Sequence, residues 1–205
     1  MSTSKKKRQP SFSGKLRPAK PTNALQRPRE YLTDKEVERL MKAAAKVGRH
    51  RHRDATLILV AYRHGFRVSE LVALRWDVIE FDNGRMHVNR AKDRLPSVHS
   101  IRGPELRAFR RLKRENPSSP YVFVTERKGP LTDSAVRKMV ARAGEYAGFD
   151  FSIHPHMLRH STGYKLANDG HDTRAIQQYL GHKNIQHTVR YTQLSANRFK
   201  DFWQD

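Results

Sequence analysis

The sequence predicts a mainly helical domain with one small antiparallel β-sheet inserted after the third helix. Three observations lead there. Apolar residues recur at helical spacing through most of the chain after residue 33. That period breaks between residues 78 and 101, where short runs flank Asp82-Asn83-Gly84, a strong hairpin signal. Capping residues and glycines stand at the ends of the periodic stretches.

Taken in order, Thr33-Asp34-Lys35-Glu36 is a capping box, followed by Val37, Leu40, Met41, Ala44 and Val47 at helical spacing and a stop at Gly48. A second helix is expected from Arg53 to His64, ending at Gly65. A third starts at Ser69 and carries Leu71, Val72, Leu74 and Trp76. Strands then run through Val78–Phe81 and Met86–Val88, with a third between Leu95 and Ile101. Helix returns at Pro104-Glu105, with Leu106, Phe109 and Leu112 on one face, until Asn116–Pro120 breaks it. Tyr121–Val124 reads as either a buried strand or an extended connector. Thr132 caps a helix carrying Val136, Met139, Val140 and Ala143. The next runs from His154 to Asn168, since Pro155 suits a first turn. Short helices follow over Thr173–Leu180 and Asn184–Thr192.

Charge narrows the function. The 205 residues hold 41 Lys+Arg against 20 Asp+Glu, a formal net charge of +21. Residues 1–30 contribute nine basic side chains and one acidic one, together with Pro10, Pro18, Pro21 and Pro28. With so few large apolar residues this stretch cannot offset its ordering entropy. It reads as a disordered basic tail, either a solubilising leader or a phosphate-binding arm led by Lys5, Lys6, Lys7 and Arg8. Residues 31–205 keep 32 basic and 19 acidic residues, so the folded part is itself basic. Nucleic acid is the leading partner and an anionic membrane surface the second. No apolar run approaches the ~18–20 residues of a membrane helix, and the Lys-rich start lacks the apolar stretch of a secretory signal. With no cysteine, disulfides, thiolate metal sites and cysteine nucleophiles are excluded, and the cytoplasm is the expected compartment.

The chemistry-bearing residues are Arg, Lys, His and Tyr. No phosphate-binding glycine loop is present, which leaves nucleotide cofactors unsupported. His156 and His160 share a helix face, but no neighbouring carboxylate completes a zinc site, and the acids are too scattered for a two-metal nuclease. A cationic set of this kind suits metal-free chemistry on a phosphodiester. Attack builds charge on phosphorus, and fixed arginines stabilise that state more than the ground state. The planar guanidinium grips two non-bridging oxygens at once.

Four separated boxes then resemble the tyrosine recombinases, or phage-type integrases. His156-Met157-Leu158-Arg159-His160 is similar to their HxxR box. Leu180-Gly181-His182 matches their LGH box, with His182 23 residues after Arg159, and Tyr191 follows His182 by nine. Gly65-Phe66-Arg67-Val68-Ser69-Glu70-Leu71 is similar to the first-arginine box. Lys92, just past the second strand, stands where the family carries its hairpin lysine. The resemblance spans Tyr31 to Trp203 and is nearest to the short members that invert fimbrial promoters, as in His154–Ser161, Asp172–Arg174 and Asn184–Val189. Like that group, the chain has only its tail ahead of the catalytic domain, where most integrases carry a helical core-binding domain.

The resemblance implies a tyrosine recombinase catalytic-domain fold over 31–205 and no cofactor or metal. Tyr191 becomes the nucleophile that forms a 3′-phosphotyrosine, its phenol made more acidic by neighbouring cations. Arg67 and Arg159 hold the phosphate oxygens, and Glu70 orients Arg67 or caps its helix. His156 is a general base or proton relay, or else a phosphate contact. His182 bonds a phosphate oxygen, or alternatively caps its helix, and Lys92 is the general acid. His154, His160 and His187 are expected to be structural or DNA-facing, and Tyr179 to be core. Arg90 and Arg94, flanking Lys92, are expected on DNA. The partner is double-stranded DNA, held by a homotetramer on two sites that is monomeric when free, with accessory DNA-bending proteins and a nucleoid-associated location in a bacterial host. The segment at 195–205, with Phe199, Phe202 and Trp203, docks either on its own domain or on a neighbour. Competing readings are a type IB topoisomerase-like relaxase, a DNA-binding regulator without catalysis, and an RNA-binding protein. The last lacks any aromatic RNA-binding sheet motif.

Overall fold

Thr33, Thr132 and Asp172 each cap a helix start with a side-chain oxygen, and Gly65 and Gly181 each close a helix in the left-handed conformation. The computed structural model describes residues 29–90, 96–193 and 195. Helix α1 (Asp34–Ala44) starts on Thr33, whose hydroxyl accepts the Glu36 N–H while the Glu36 carboxylate accepts the Thr33 N–H at 2.8 Å. Helix α2 (Arg51–His64) begins two residues before the sequence expectation and runs through the centre of the molecule, with Leu57, Ile58, Val60 and Ala61 fully buried. It stops at Gly65, whose φ of 59° is the left-handed conformation that a glycine adopts without strain.

Helix α3 is only Val68–Val72. Leu74 and Trp76 fall beyond it, contrary to the expected longer helix, and Trp76–Val78 form a 3₁₀ turn. The reason is tertiary. The Trp76 N–H donates to Pro120 O and the Val122 N–H to Leu74 O, so residues 120–122 take the backbone groups that another helical turn would have used. This also resolves Tyr121–Val124 as an extended connector held by isolated bridges.

Strands β1 (Ile79–Glu80), β2 (Arg85–Val88) and β3 (Ser97–Ser100) form the antiparallel sheet in that order, with Met86 opposite both Ile79 and His99. Met86 and Val88 face inward while Arg85 and His87 face out, the period-two alternation of a half-buried strand. Helix α4 (Gly103–Glu115) follows, then α5 (Asp133–Tyr146), capped by Thr132, and α6 (Pro155–Asn168), with proline in its first turn. Helices α7 (Thr173–Leu180) and α8 (Gln186–Gln193) complete the described chain.

The larger core joins α1, α2, α4, α5, the sheet and the first half of α6. A smaller cluster of Tyr164, Ala167, Ile176, Leu180 and Tyr191 ties α7 and α8 to the second half of α6. No helix among the described residues is long and apolar enough to cross a membrane. Residues 1–28, Leu95, and the terminal Phe199, Phe202 and Trp203 lie outside the described residues, so the tail and docking expectations stay with the sequence.

Candidate active site

The site forms where α2 turns into α3, where α6 begins, and where α7 turns into α8. The Gly65 turn sets Arg67 at the N-cap of α3. There Glu70 accepts the Arg67 N–H at 2.8 Å through one oxygen and its Nη1 at 2.9 Å through the other. Glu70 therefore both caps the helix and aims the arginine. About a third of the Arg67 side chain is exposed (32%), and it faces a cavity of about 470 Å³.

Arg159 sits one turn into α6 and is 1% exposed. Its Nη1 donates to Gly65 O and its Nη2 to Leu180 O, the latter at 2.6 Å. One guanidinium thus fixes the Arg67 turn to the His182 turn. Burial, then the positive charges of Arg67 and Arg90, lower its pKa to about 9, which still leaves it charged at neutral pH. Arg67 and Arg90 both pair with Glu70, and Arg159 feels all three charges. Three cations around one carboxylate leave a positive surplus that a bound anion would neutralise.

Gly181 closes α7 in the left-handed conformation, and His182 follows. The His182 Nδ1 bonds Thr188 Oγ1 at 2.8 Å, and its backbone N–H donates to Gln177 O. Burial first, then Arg159 and Arg67, push its pKa down to about 3, so the ring is neutral at physiological pH.

Tyr191 lies on α8, 2% exposed, with its ring against the backbone of α6. A Cβ at Gly163 would stand 2.5–2.7 Å from three atoms of that ring, so only glycine admits it. The phenol hydroxyl is 2.8 Å from His160 Nδ1. The sequence expectation paired the tyrosine with His156 and left His160 structural or DNA-facing; in the structure His160 bonds the hydroxyl. His156 lines the cavity one helical turn away, its ring centroid 4.4 Å from that of His160. Burial, together with the charges of His156 and Arg190, lowers the His160 pKa to about 3. The neighbouring cations do lower the phenol's pKa as expected, but burial is the larger effect. Burial raises Tyr191 to about 12, outweighing the lowering by Arg159 and Arg190.

Four cationic side chains, Arg67, Arg159, Lys183 and Arg190, line the cavity with four histidines, Asn184 and Tyr191, and no carboxylate is among the described lining residues. Among the described residues no group of three or more His, Asp or Glu could hold a metal ion. His187 lines the cavity too, whereas His154 precedes α6 as its N-cap. Tyr179 is half-buried on the smaller cluster and its hydroxyl donates to Arg63 O, in keeping with a packing role.

The hairpin basics divide. Lys92 and Arg94, with Lys5, Lys6, Lys7 and Arg8, lie outside the described residues. Arg90 corrects its expectation: its side chain is fully buried, held by Glu70, His64 O and Tyr179 O, and so is not a DNA-facing arginine. The alternation of β2 carried that signal, since inward Met86 and Val88 put position 90 on the same face. Gly163 carried no expectation. A glycine inside a helical pattern marks a close approach, and it was the available clue to the tyrosine's seat.

The phage integrase family pattern matches residues 30–198. The chain is 42% identical over 182 residues to the type 1 fimbriae regulatory protein FimE of Escherichia coli K12, covering 86% of this chain and 91% of that protein. It is 39% identical over 180 residues to FimB of the same strain, covering 85% and 90%. Among solved structures, the XerA recombinase superposes with a TM-score of 0.71 at 26% identity, over 84% of this chain and 63% of that one. The chain therefore belongs to the phage integrase family, the tyrosine-type site-specific recombinases.

Proposed function

We propose that this chain cuts and rejoins double-stranded DNA at specific sites through a 3′-phosphotyrosine, and that it inverts a DNA segment. The observation carrying the chemistry is the cationic cavity that brings Arg67, Arg159, His182 and Tyr191 together, with no carboxylate among its described lining residues. The likeness to FimE and FimB over nine-tenths of their length supports inversion ahead of integration.

The scissile phosphate is the anion that neutralises this positive surplus. Arg67 and the remaining N–H groups of Arg159 hold its non-bridging oxygens, and His182, whose Nδ1 is engaged by Thr188 Oγ1, offers Nε2 to one of them. Tyr191 Oη attacks phosphorus as its proton passes to a histidine. The Oη–P bond forms and the P–O5′ bond breaks. Burial holds the phenol in its protonated form, so transfer of its proton to a neighbouring base accompanies attack. His160, whose Nδ1 stands 2.8 Å from the hydroxyl, is placed to take it, with His156 relaying the proton outward. Lys92 protonates the leaving 5′-oxygen. The phosphotyrosine stores the bond energy, and a 5′-hydroxyl from a second cut duplex reseals it without ATP.

That exchange calls for four protomers on two sites, monomeric when free, with DNA-bending proteins helping to bring the sites together. Residues 1–30 act as a phosphate-binding tail led by Lys5, Lys6, Lys7 and Arg8, with Arg94 on DNA. Residues 31–205 form the catalytic domain, their last segment docking on a neighbour, and the protein works at the cytoplasmic nucleoid. Tyr191→Phe should abolish covalent capture of a nicked suicide duplex while DNA affinity stays within about threefold, because a single oxygen is removed from a packed ring. Covalent capture by that variant would overturn the assignment.

A further inference from the structure

Arg190 stands next to Tyr191 on α8 and lines the same cavity, yet the chemistry above does not use it. Its guanidinium lies 5.7 Å from the Tyr191 ring centroid. Burial works against its charge, but Glu30, Tyr191 and a hydrogen bond with Tyr164 outweigh that and raise its pKa, so it stays a cation in the site. Its Nη2 donates to the Glu30 carboxylate, and the two side chains are 37% and 56% exposed.

Glu30 is the one acid of residues 1–30, and its neighbours on both sides are fixed. Arg29 makes a two-pronged pair with Glu36, at 2.7 and 2.8 Å. The Tyr31 ring lies 4.1 Å from that of Tyr164, and the Leu32 N–H donates to Ser161 Oγ at 2.7 Å. Tyr164 in turn meets the Tyr191 ring edge-on at 5.0 Å. The chain just ahead of α1 is thus laid against α6 so that its carboxylate reaches the nucleophile's helix. The two ion-paired arginines of the cavity then differ in kind. Glu70 is three residues from Arg67, 9% exposed, and also accepts the Arg67 N–H, so it cannot leave without uncapping α3. Glu30 is 160 positions from Arg190 and more than half exposed. An exposed pair shifts an equilibrium by about fivefold at most, and a guanidinium gains more from a phosphate that it can grip through two N–H groups.

We propose that Arg190 is a further ligand of the scissile phosphate, supplied by the nucleophile's own helix, and that Glu30 occupies it until DNA displaces the carboxylate. The exchange trades one ion pair for another and breaks no covalent bond. Since Arg190 and Tyr191 line the cavity from one helix, an anion held by the first is presented to the hydroxyl of the second. This rests on the reading that the cavity takes the scissile phosphate.

The test is equilibrium DNA binding at low salt, where exposed charges are least screened, by the full chain carrying Tyr191→Phe so that no cleavage intervenes. Glu30→Gln should tighten binding about fivefold, the upper worth of an exposed ion pair, but by under about twofold once Arg190→Gln is also present. Glu38→Gln, which removes another exposed acid, should tighten it by under about twofold. Arg190→Gln should weaken binding about tenfold when the cleavage position holds a phosphate, and under about threefold when it holds an uncharged methylphosphonate. Melting temperatures near the parent's certify the fold. Should Arg190→Gln melt early, Arg190→Met, which keeps the apolar stem without the charge, carries the same comparisons. A Glu30→Gln effect that is equal with and without Arg190, or no larger than that of Glu38→Gln, overturns the proposal, as does an equal Arg190 cost on the two duplexes. Covalent capture by the chain that retains Tyr191 maps the cleavage position and is scored separately. Its absence overturns the nucleophile reading, while the Glu30–Arg190 comparison on unmodified DNA still decides the exchange, so the two failures are distinguishable.

Discussion

The two walls of the cavity are built differently. The wall that would grip phosphate belongs to the large core. Arg159 is tied to two backbone carbonyls, Arg67 to both oxygens of Glu70, and Glu70 again to Arg90. The wall that carries Tyr191 is an eight-residue helix on a five-residue cluster, and its hydroxyl is held by His160. Fixed donors need no reorganisation as charge develops, which is where electrostatic catalysis gains most. The nucleophile has the opposite requirement, since a phenol 2% exposed must still approach phosphorus. Stability is concentrated where charge is held and is thinner where a bond must form.

Breaking the rigid wall should have the largest effect. Arg159→Ala removes a buried donor set and leaves Gly65 O and Leu180 O unpaired. Cleavage should fall by ~10²–10³-fold, the cost of losing an oxyanion-type donor, with DNA affinity changed less than about tenfold. Rate and affinity falling together would make Arg159 a binding residue only. Next comes the proton acceptor beside the nucleophile, His160 on α6. His160→Gln should slow cleavage by ~10²-fold and exceed the effect of His156→Gln, and the reverse order would return the base to His156. Gly163→Ala should follow. Its methyl collides with the Tyr191 ring, so α8 shifts at a cost of about 1–3 kcal/mol, visible as a lower melting temperature and slower cleavage with unchanged DNA affinity.

The smallest effect is on pH. His99, His160 and His182 are each pushed from 6.5 down to about 3, with burial the first cause. Below pH 6.5 the unfolded chain takes up protons that the folded one refuses. The stability these rings contribute is complete above 6.5 and is lost progressively as pH falls toward 3. Thermal melts at pH 7.5, 6 and 5 should show a declining midpoint, and His99→Gln should shallow the decline. A flat profile would mean that the rings are solvated in the native state.

Local features were legible because adjacent residues encode them. The Thr33–Glu36 box, the Gly65 stop, the Asp82-Asn83-Gly84 turn and the Pro155 start all stand as expected. The third helix was overestimated because the partner of its would-be last turn lies at Pro120–Val122, beyond the reach of periodicity. The same limit governed the site. Arg67, Arg159, His182 and Tyr191 could be picked from their boxes, and they line one cavity. The Tyr191 link to His160 spans 31 positions and the Arg90 link to Tyr179 spans 89, and no local pattern announces either. Electrostatics were misread for a related reason. Counting cations favours an acidic phenol, but burial decides the sign, and burial is a property of the packed chain.

The most direct measurement traps the covalent intermediate. The protein is incubated with a nicked suicide duplex, digested with protease, and the DNA-linked peptide is sequenced by mass spectrometry. The expected adduct joins the 3′-phosphate to Tyr191. An adduct on Tyr179 or any other residue, or cleavage that leaves no protein-linked DNA, would contradict the central claim.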